Sequence, residues 1–536
     1  MALSRRTFLA SAGAVGAAAG LGLTLGPVAA QEPGTISMAL AVRGLNALSP
    51  QQTGTVGADN WVMWQMYNGL VKAPDGTYAN RPEDFEPALA ESWENSEDSL
   101  TWTYKLRQGV QFHKGYGEMT ADDVLFCYNR QLDPTTVTVN KLYFGNIASV
   151  EAPDPYTVVI TLKRPDPMFN GTVVSTLSAA IMSRKAFEEK GEAFNFDPIG
   201  TGPYMLESYG EAEGAMLTAF PEFYGEPPAT EKLHINFIAD TTARTLAFAS
   251  GQVDMIDGVR SPGWIESMMQ RSADTKFDVT SPGSFNFLHL NLTRKPLDDL
   301  RVRQAIRYAI DNSAIAQAYG AVAKPMVGLV ASQFEGSVSR DELPEELKYE
   351  YNPEKAKALL AEAGLSGGVT IPCYVSQRED YQTIMLIVQE QLRAVGVTLD
   401  MPIIDHNTFH ADNRNDKNAM PLNSTSYPPL PVNIFTQQAS AAAAVKADGT
   451  GGGNYSHYGE VIPGIDDLLA SVQNEPSFDA RVAIFKEIEK KILTDLPCLG
   501  IITLGYVVAR NPRIDLGYDV VSGGAAWPLW RARRVG

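Results

Sequence analysis

Cysteine, histidine and positive charge are all scarce in this chain of 536 residues. The three cysteines, Cys127, Cys373 and Cys498, are widely spaced and form no C-x-x-C pair. That excludes a disulfide-dense scaffold and a thiolate zinc or redox centre, and leaves room for at most one disulfide. Six histidines leave little for a histidine-based catalytic centre. Lys and Arg number 44 against 62 Asp and Glu, a net charge of −18. Nucleic acids and anionic membranes call for a basic footprint, which this chain lacks. Enzyme signatures are missing too: no G-x-S-x-G, no H-E-x-x-H, no Walker loop, no G-x-G-x-x-G after a strand. Residues 497–509 are uncharged, but they have the length of a buried strand, not of a membrane span. With 44% hydrophobic and 20% charged residues the composition is that of a globular protein, and the length suggests about three to four domain units.

The first thirty residues read as an address. Arg5 and Arg6 precede Thr7-Phe8-Leu9, no charge follows until Glu32, and the stretch ends in Val28-Ala29-Ala30. A basic start, an apolar centre and a small-residue end make a secretory signal cleaved near Ala30. The arginine pair resembles the twin-arginine type, which exports folded proteins. Removing this leader leaves the mature chain more anionic still. The expected product is soluble and periplasmic.

Helical and strand signals alternate along the rest, which makes this an α/β protein. Residues 100–106 and 156–162 alternate with period two. Thr120-Ala121-Asp122-Asp123 opens a helix with a capping box and places Cys127 on its buried stripe as a core thiol. Further helices are predicted over 299–310, from Pro353 to a stop at Gly364, over a stripe from Ile384 to Val395, and over 479–493. The Ala- and Gly-rich stretch 439–453 reads as a mobile surface loop. His406 and His410, beside Asp405 and Asp412, would make a metal pair on a helix, but the polar, aperiodic stretch 405–415 reads instead as a solvated loop.

Several strings carry a family resemblance. They are Ala88-Leu89-Ala90-Glu91-Ser92-Trp93-Glu94, Leu106-Arg107-Gln108-Gly109-Val110-Gln111-Phe112-His113 and Thr120-Ala121-Asp122-Asp123-Val124. Gly200-Thr201-Gly202-Pro203-Tyr204 follows, then Asp299-Leu300-Arg301-Val302-Arg303-Gln304-Ala305, then Tyr351-Asn352-Pro353-Glu354-Lys355-Ala356. In this order the chain resembles the family 5 extracellular solute-binding proteins of ABC importers, the dipeptide, oligopeptide and nickel receptors. The likeness runs over about residues 36–510. It implies a class II periplasmic-binding-protein fold, with two α/β lobes joined by a two-strand hinge and an extra domain on the first lobe. The implied divisions are residues 31–55, 200–280 and 510–536 for the first lobe, 56–199 for the extra domain and 281–509 for the second lobe. The implied protein is a monomer without cofactor or catalytic residues. It captures a small-molecule solute by lobe closure and delivers it to an ABC permease with cytoplasmic ATPases. An exported cofactor-dependent enzyme is the rival from another class.

The resemblance also marks a pocket. Peptide-binding members hold the ligand's α-amine on an Asp in a loop whose counterpart here is residues 422–435. Aligning Pro431 and Asn433 puts Ser424 in place of the family's Trp and Tyr427 in place of that Asp, with Ser426 beside it. No acid occurs anywhere from Lys417 to Lys446, and a buried ammonium without a counter-charge is costly. In Ser376-Gln377-Arg378 the arginine matches the family's carboxylate-binding residue, which suits a forked guanidinium. The family's leucine–aspartate–proline string is Leu48-Ser49-Pro50 here. Gln51 and Gln52, at the start of the segment 51–60, are expected at the cleft mouth. The implied solute is a small organic molecule, carboxylate-bearing and not a free-amine peptide. A peptide receptor with the amine-binding acid supplied from elsewhere is the alternative within the family.

Overall fold

The computed structural model describes residues 34–52, 57–138, 140–448 and 451–536. The leader, with Arg5, Arg6 and the cleavage point near Ala30, lies outside the described residues. Among the described residues no helix is long and apolar enough to cross a membrane.

The period-two stretches form neighbouring strands of a four-stranded antiparallel sheet, in the order Ala90–Asn95, Thr101–Leu106, Thr157–Leu162, Ile147–Asp154. Alternation places Trp102, Tyr104 and Leu106 inward. Helix Ala121–Leu132 begins in the expected capping box and buries Val124, Cys127 and Tyr128. This sheet and helix share one continuous apolar core with the first lobe.

The main sheet has nine strands. Its first-lobe part runs Tyr204–Gly210, Gly214–Ala219, Lys232–Phe237, Thr35–Leu40, Met255–Asp257. Two long strands, Lys276–His289 and Cys498–Arg510, then carry it into the second lobe, where Leu422–Ser426 and Ala323–Pro325 join. These two strands are the hinge. Their pairing is regular from Lys276↔Arg510 to Thr280↔Tyr506, is interrupted, and resumes at Ser284↔Leu504. Gly283 sits in the interruption at φ +68, where a Cβ would lie 2.2 Å from the Leu504 carbonyl. Only glycine fits there without a backbone shift. On the Cys498–Arg510 strand this interruption falls at 504–506.

The second lobe has its own core. Helices Leu300–Ala309, Pro353–Glu362, Glu379–Arg393 and Phe478–Asp495 occupy the four predicted places. Asp299, Asn352 and Ser477 cap three of them through side-chain oxygens. All three cysteines are free and buried, so no disulfide forms. Burial pushes the Cys127 thiol up to about 12, as a core thiol requires.

Two local expectations are corrected. Residues 406–414 form helix His406–Arg414, not a loop, because Asp405 accepts from the backbone N–H groups of Asn407 and Thr408 and Phe409 is fully buried. The stretch 439–453 is a surface segment only in part: Ala439, Ala444 and Val445 are buried, whereas Ala442, Lys446, Ala447, Asp448, Gly451 and Gly452 are exposed. Alanines are small enough to let the chain turn tightly against its neighbours, and Ser440 caps the short turn Ala441–Ala443.

Candidate functional site

The two lobes face each other across a cleft whose inner end lies against the hinge. There a cavity of about 380 Å³ is bounded by both lobes and by Tyr143 of the extra domain, a size suited to a small molecule. Four of the sequence-marked residues meet in it: Arg378, Ser424, Ser426 and Tyr427. Strand Leu422–Ser426 sits at the sheet edge beside Lys276–His289 and carries the two serines. Arg378 is the N-cap residue of helix Glu379–Arg393.

The polar groups are arranged in three sets. Ser426 Oγ is hydrogen-bonded to Tyr506 Oη at 2.7 Å. Arg378 is held side-on by Asp380, with Nε to Oδ1 at 3.1 Å and Nη2 to Oδ2 at 2.6 Å. Tyr381 donates to the Ser424 carbonyl at 3.3 Å, and burial pushes its phenol up to about 12. On the hinge side, Arg260 Nη1 donates to Ser284 Oγ (3.0 Å) and to the Leu504 carbonyl (3.3 Å). Its guanidinium lies over the Tyr506 ring, 4.8 Å from the centroid.

Tyr427 occupies the wall, but its hydroxyl is not on offer. It donates to Gln437 Oε1 at 3.0 Å and accepts from Gln438 Nε2 at 2.5 Å. The residue is 4% exposed, and burial raises its pKa. Gln438 in turn accepts from His289, so the phenol is a link in a polar chain that runs from His289 to Gln437, and it supports the wall through its ring.

Gln51 and Gln52 lie elsewhere. Gln51 is buried at the seam with the extra domain, where Nε2 donates to the Cys127 carbonyl (2.7 Å) and Oε1 accepts from Arg130 (3.1 Å). Gln52 donates to the Val137 carbonyl at 3.1 Å. Chain entry into the first lobe turns this segment toward the extra domain and away from the cleft. His406 and His410 meet edge to face on their helix, 4.5 Å between ring centroids, and Ser376 Oγ is hydrogen-bonded to His406 Nδ1 at 2.8 Å. Among the described residues no three His, Cys, Asp or Glu side chains gather as a metal site.

Arg260, Asp380, Tyr381, Tyr143 and Tyr506 complete the site without having been singled out from sequence. Asp380 and Tyr381 are near neighbours of Arg378 on the same helix start. Arg260 stands between Gly258 and Pro262 in a loop leaving a strand end, a place where open α/β sheets put their ligand contacts.

Toward solvent the cleft continues into a second chamber of about 460 Å³, which shares Tyr143, Asn433 and Gln437 with the first. Its walls are mainly apolar, with Leu142, Met168, Leu430, Val432 and Phe485 among them. Ion pairs cross from the extra domain to the second lobe at this chamber: Asp166 to Arg481 (3.5 Å), both on its wall, and Arg81 to Asp479 (2.7 Å) and to Glu335 (3.3 Å), the last also on its wall. A larger cavity of about 580 Å³ lies between residues 64–87 and the C-terminal segment 520–531. None of its lining residues lies between 281 and 509, although Tyr78 on its wall packs against Phe334 and Thr280 belongs to a hinge strand.

Comparison with known proteins gives a consistent picture. The family model for bacterial extracellular solute-binding proteins, family 5 (middle region), matches residues 84–444. The heme-binding protein A of Haemophilus influenzae is 33% identical over 331 residues, 57% of this chain and 57% of that protein. The chain therefore aligns with little more than half the length of that relative. The dipeptide-binding protein of Escherichia coli K12 is 28% identical over 468 residues, 81% of this chain and 83% of its own length. Among solved structures, a periplasmic binding protein of A. tumefaciens R10 in complex with mannopinic acid superposes with a TM-score of 0.75 at 29% identity, covering 94% of this chain and 99% of the other.

Proposed function

Because the chain belongs to the bacterial extracellular solute-binding proteins of family 5, we propose that it is the periplasmic receptor of an ABC importer, capturing a small organic solute by lobe closure and handing it to a membrane permease. The observation that carries this reading is the cavity at the hinge, walled by both lobes and lined with hydroxyls, amides and two guanidinium groups. A solute touching both walls favours the closed arrangement by its differential contacts, which is all a receptor of this kind must do. The relatives named above are binding proteins, which supports a receptor over an exported enzyme.

The solute is a carboxylate or an otherwise anionic molecule and not a free-amine peptide. Tyr427 stands where an amine-binding acid would be, and its hydroxyl is already taken. The acid that does reach the cavity, Asp380, is spent on Arg378. Calorimetry with paired free and N-acetylated dipeptides tests this: the acetylated forms should bind at least about tenfold more tightly, since a charge-assisted contact is worth ~1.5–3 kcal/mol. Submicromolar binding of the free forms alone would show that Asp380 serves the amine after all.

Export by the twin-arginine route follows from Arg5 and Arg6. Replacing both with lysine should leave unprocessed protein in the cytoplasm; normal periplasmic processing of that variant would reject the route.

A further inference from the structure

Arg378 is the arginine that sequence points to, yet Arg260 is the one left free. Asp380 covers two of Arg378's donor groups, Nε and Nη2, in a side-on pair. A carboxylate approaching Arg378 must displace Asp380 or share the guanidinium with it, and Asp380 is itself only 15% exposed. Arg260 has no such neighbour. Among the described residues no carboxylate lies within ion-pair distance of it, and both of its hydrogen bonds leave from Nη1, to a serine hydroxyl and a backbone carbonyl. A guanidinium carries five N–H donors in a planar fork. Nε and Nη2, the edge that pairs bidentately with a carboxylate, therefore remain unused. The Tyr506 ring lies against the guanidinium, 4.8 Å from its carbon to the ring centroid. In a chain of net charge −18, this is a cavity cation with no directly paired carboxylate, its acidic influence coming from Asp257 at the end of the preceding strand.

We propose that Arg260, and not Arg378, anchors the acid group of the solute, and that the solute's uncharged apolar body extends from there into the outer chamber. The proposal rests on the receptor reading above and names the solute class for the same cleft: a monocarboxylate with an apolar body. The position of Arg260 gives it a second consequence. It leaves the loop between strand Met255–Asp257 and helix Trp264–Arg271 of the first lobe. Its two bonds go to Ser284 and Leu504, where the hinge strands enter the second lobe. A carboxylate seated on Arg260 is thus tied to the hinge itself. The outer chamber shares Tyr143, Asn433 and Gln437 with the cavity, and the apolar part of its wall around Leu142, Leu430 and Phe485 matches an apolar body.

The test uses the mature full chain and two probes, N-acetyl-leucyl-phenylalanine and its C-terminal amide, with calorimetry on wild type, Arg260→Gln, Arg260→Lys and Arg378→Ala. Wild type should prefer the acid over the amide by about tenfold or more. Arg260→Gln, which can still bond Ser284, should bring that ratio close to one. Arg260→Lys should restore part of it, and Arg378→Ala should leave it within about threefold. Loss of the preference in Arg378→Ala but not in Arg260→Gln overturns the proposal, as does a wild type that shows no preference or binds neither probe. Scattering with the solute that co-purifies separates the two readings. If that solute compacts wild type and Arg260→Gln alike, the anchor fails and the receptor stands; if it compacts neither, the receptor reading fails.

Discussion

His113 and His289 are fully buried, and burial holds each neutral. His113 Nε2 donates to the Gly202 carbonyl (2.9 Å), and Nδ1 accepts from the Gly200 N–H (3.3 Å). His289 Nε2 donates to Gln438 at 2.9 Å. Burial pushes both down to about 4. A depressed folded value means that their contribution is complete above the unfolded value near 6.5 and is lost as pH falls toward 4. Glu489 acts in the opposite sense. Burial pushes it up to about 7, so its contribution shrinks as pH rises from about 4.5 to 7. At ~1.36 kcal/mol per unit each group is worth about 3 kcal/mol, so two histidines outweigh one glutamate. Urea midpoints should fall between pH 6.5 and 4.5, with a shallower fall in His289→Gln; a flat or rising profile would contradict this. Tyr427→Phe should cost about 1–2 kcal/mol of stability through unpaired Gln437 and Gln438, yet change probe affinity less than threefold. A tenfold loss of affinity would put the hydroxyl back in contact with solute. At this scale the family resemblance marked Arg378, Ser424 and Ser426, because its motifs align over the short stretches that carry them. It missed Arg260, whose place in the cavity depends on the lobe crossing, and it misplaced Gln51, whose direction is decided by packing against Cys127 and Arg130.

Helices were legible where caps and stripes agree. Asn352 before Pro353 and the stop at Gly364 mark helix Pro353–Glu362 without any tertiary knowledge. Helix His406–Arg414 was not legible, because it buries only Phe409 and Asn413 and shows no apolar period. The hinge was legible as strands but not as a crossing, since the interruption at Gly283 is fixed by the approach of two backbones distant in sequence. Gly505 belongs to the same approach, with its Cβ position 2.7 Å from the Thr280 carbonyl. Gly283→Ala should lower stability by about 2 kcal/mol through backbone clash and positive φ, read as a lower urea midpoint with unchanged slope. An unaffected midpoint would mean that the hinge strands can separate freely at this point.

For the whole molecule, the outer clasp decides how much closure the protein keeps without solute. Arg481 is 8% exposed and Asp166 11%, and Arg481 Nη2 also donates to the Pro165 carbonyl at 2.6 Å. Burial raises the Asp166 carboxyl and lowers the Arg481 guanidinium, so each depends on the other for its charge. Breaking such a pair from one side costs about 3–5 kcal/mol, whereas Arg81 and Asp479 are exposed enough to be worth about 0–1. In solute-free protein Arg481→Met should therefore expand the molecule in solution, and Arg81→Met should change it little. Equal radii of gyration for both variants and wild type would remove the clasp from the closing equilibrium.

Closure on a solute is the central claim, and small-angle scattering on the mature protein, first stripped of its co-purified solute and then reloaded with it, tests it most directly. Loading to about 100-fold above the dissociation constant stabilises the fold by about 2.7 kcal/mol, and the radius of gyration should fall as the lobes close over Arg260 and Arg378. Tight binding with no change in radius would contradict a receptor that works by closing.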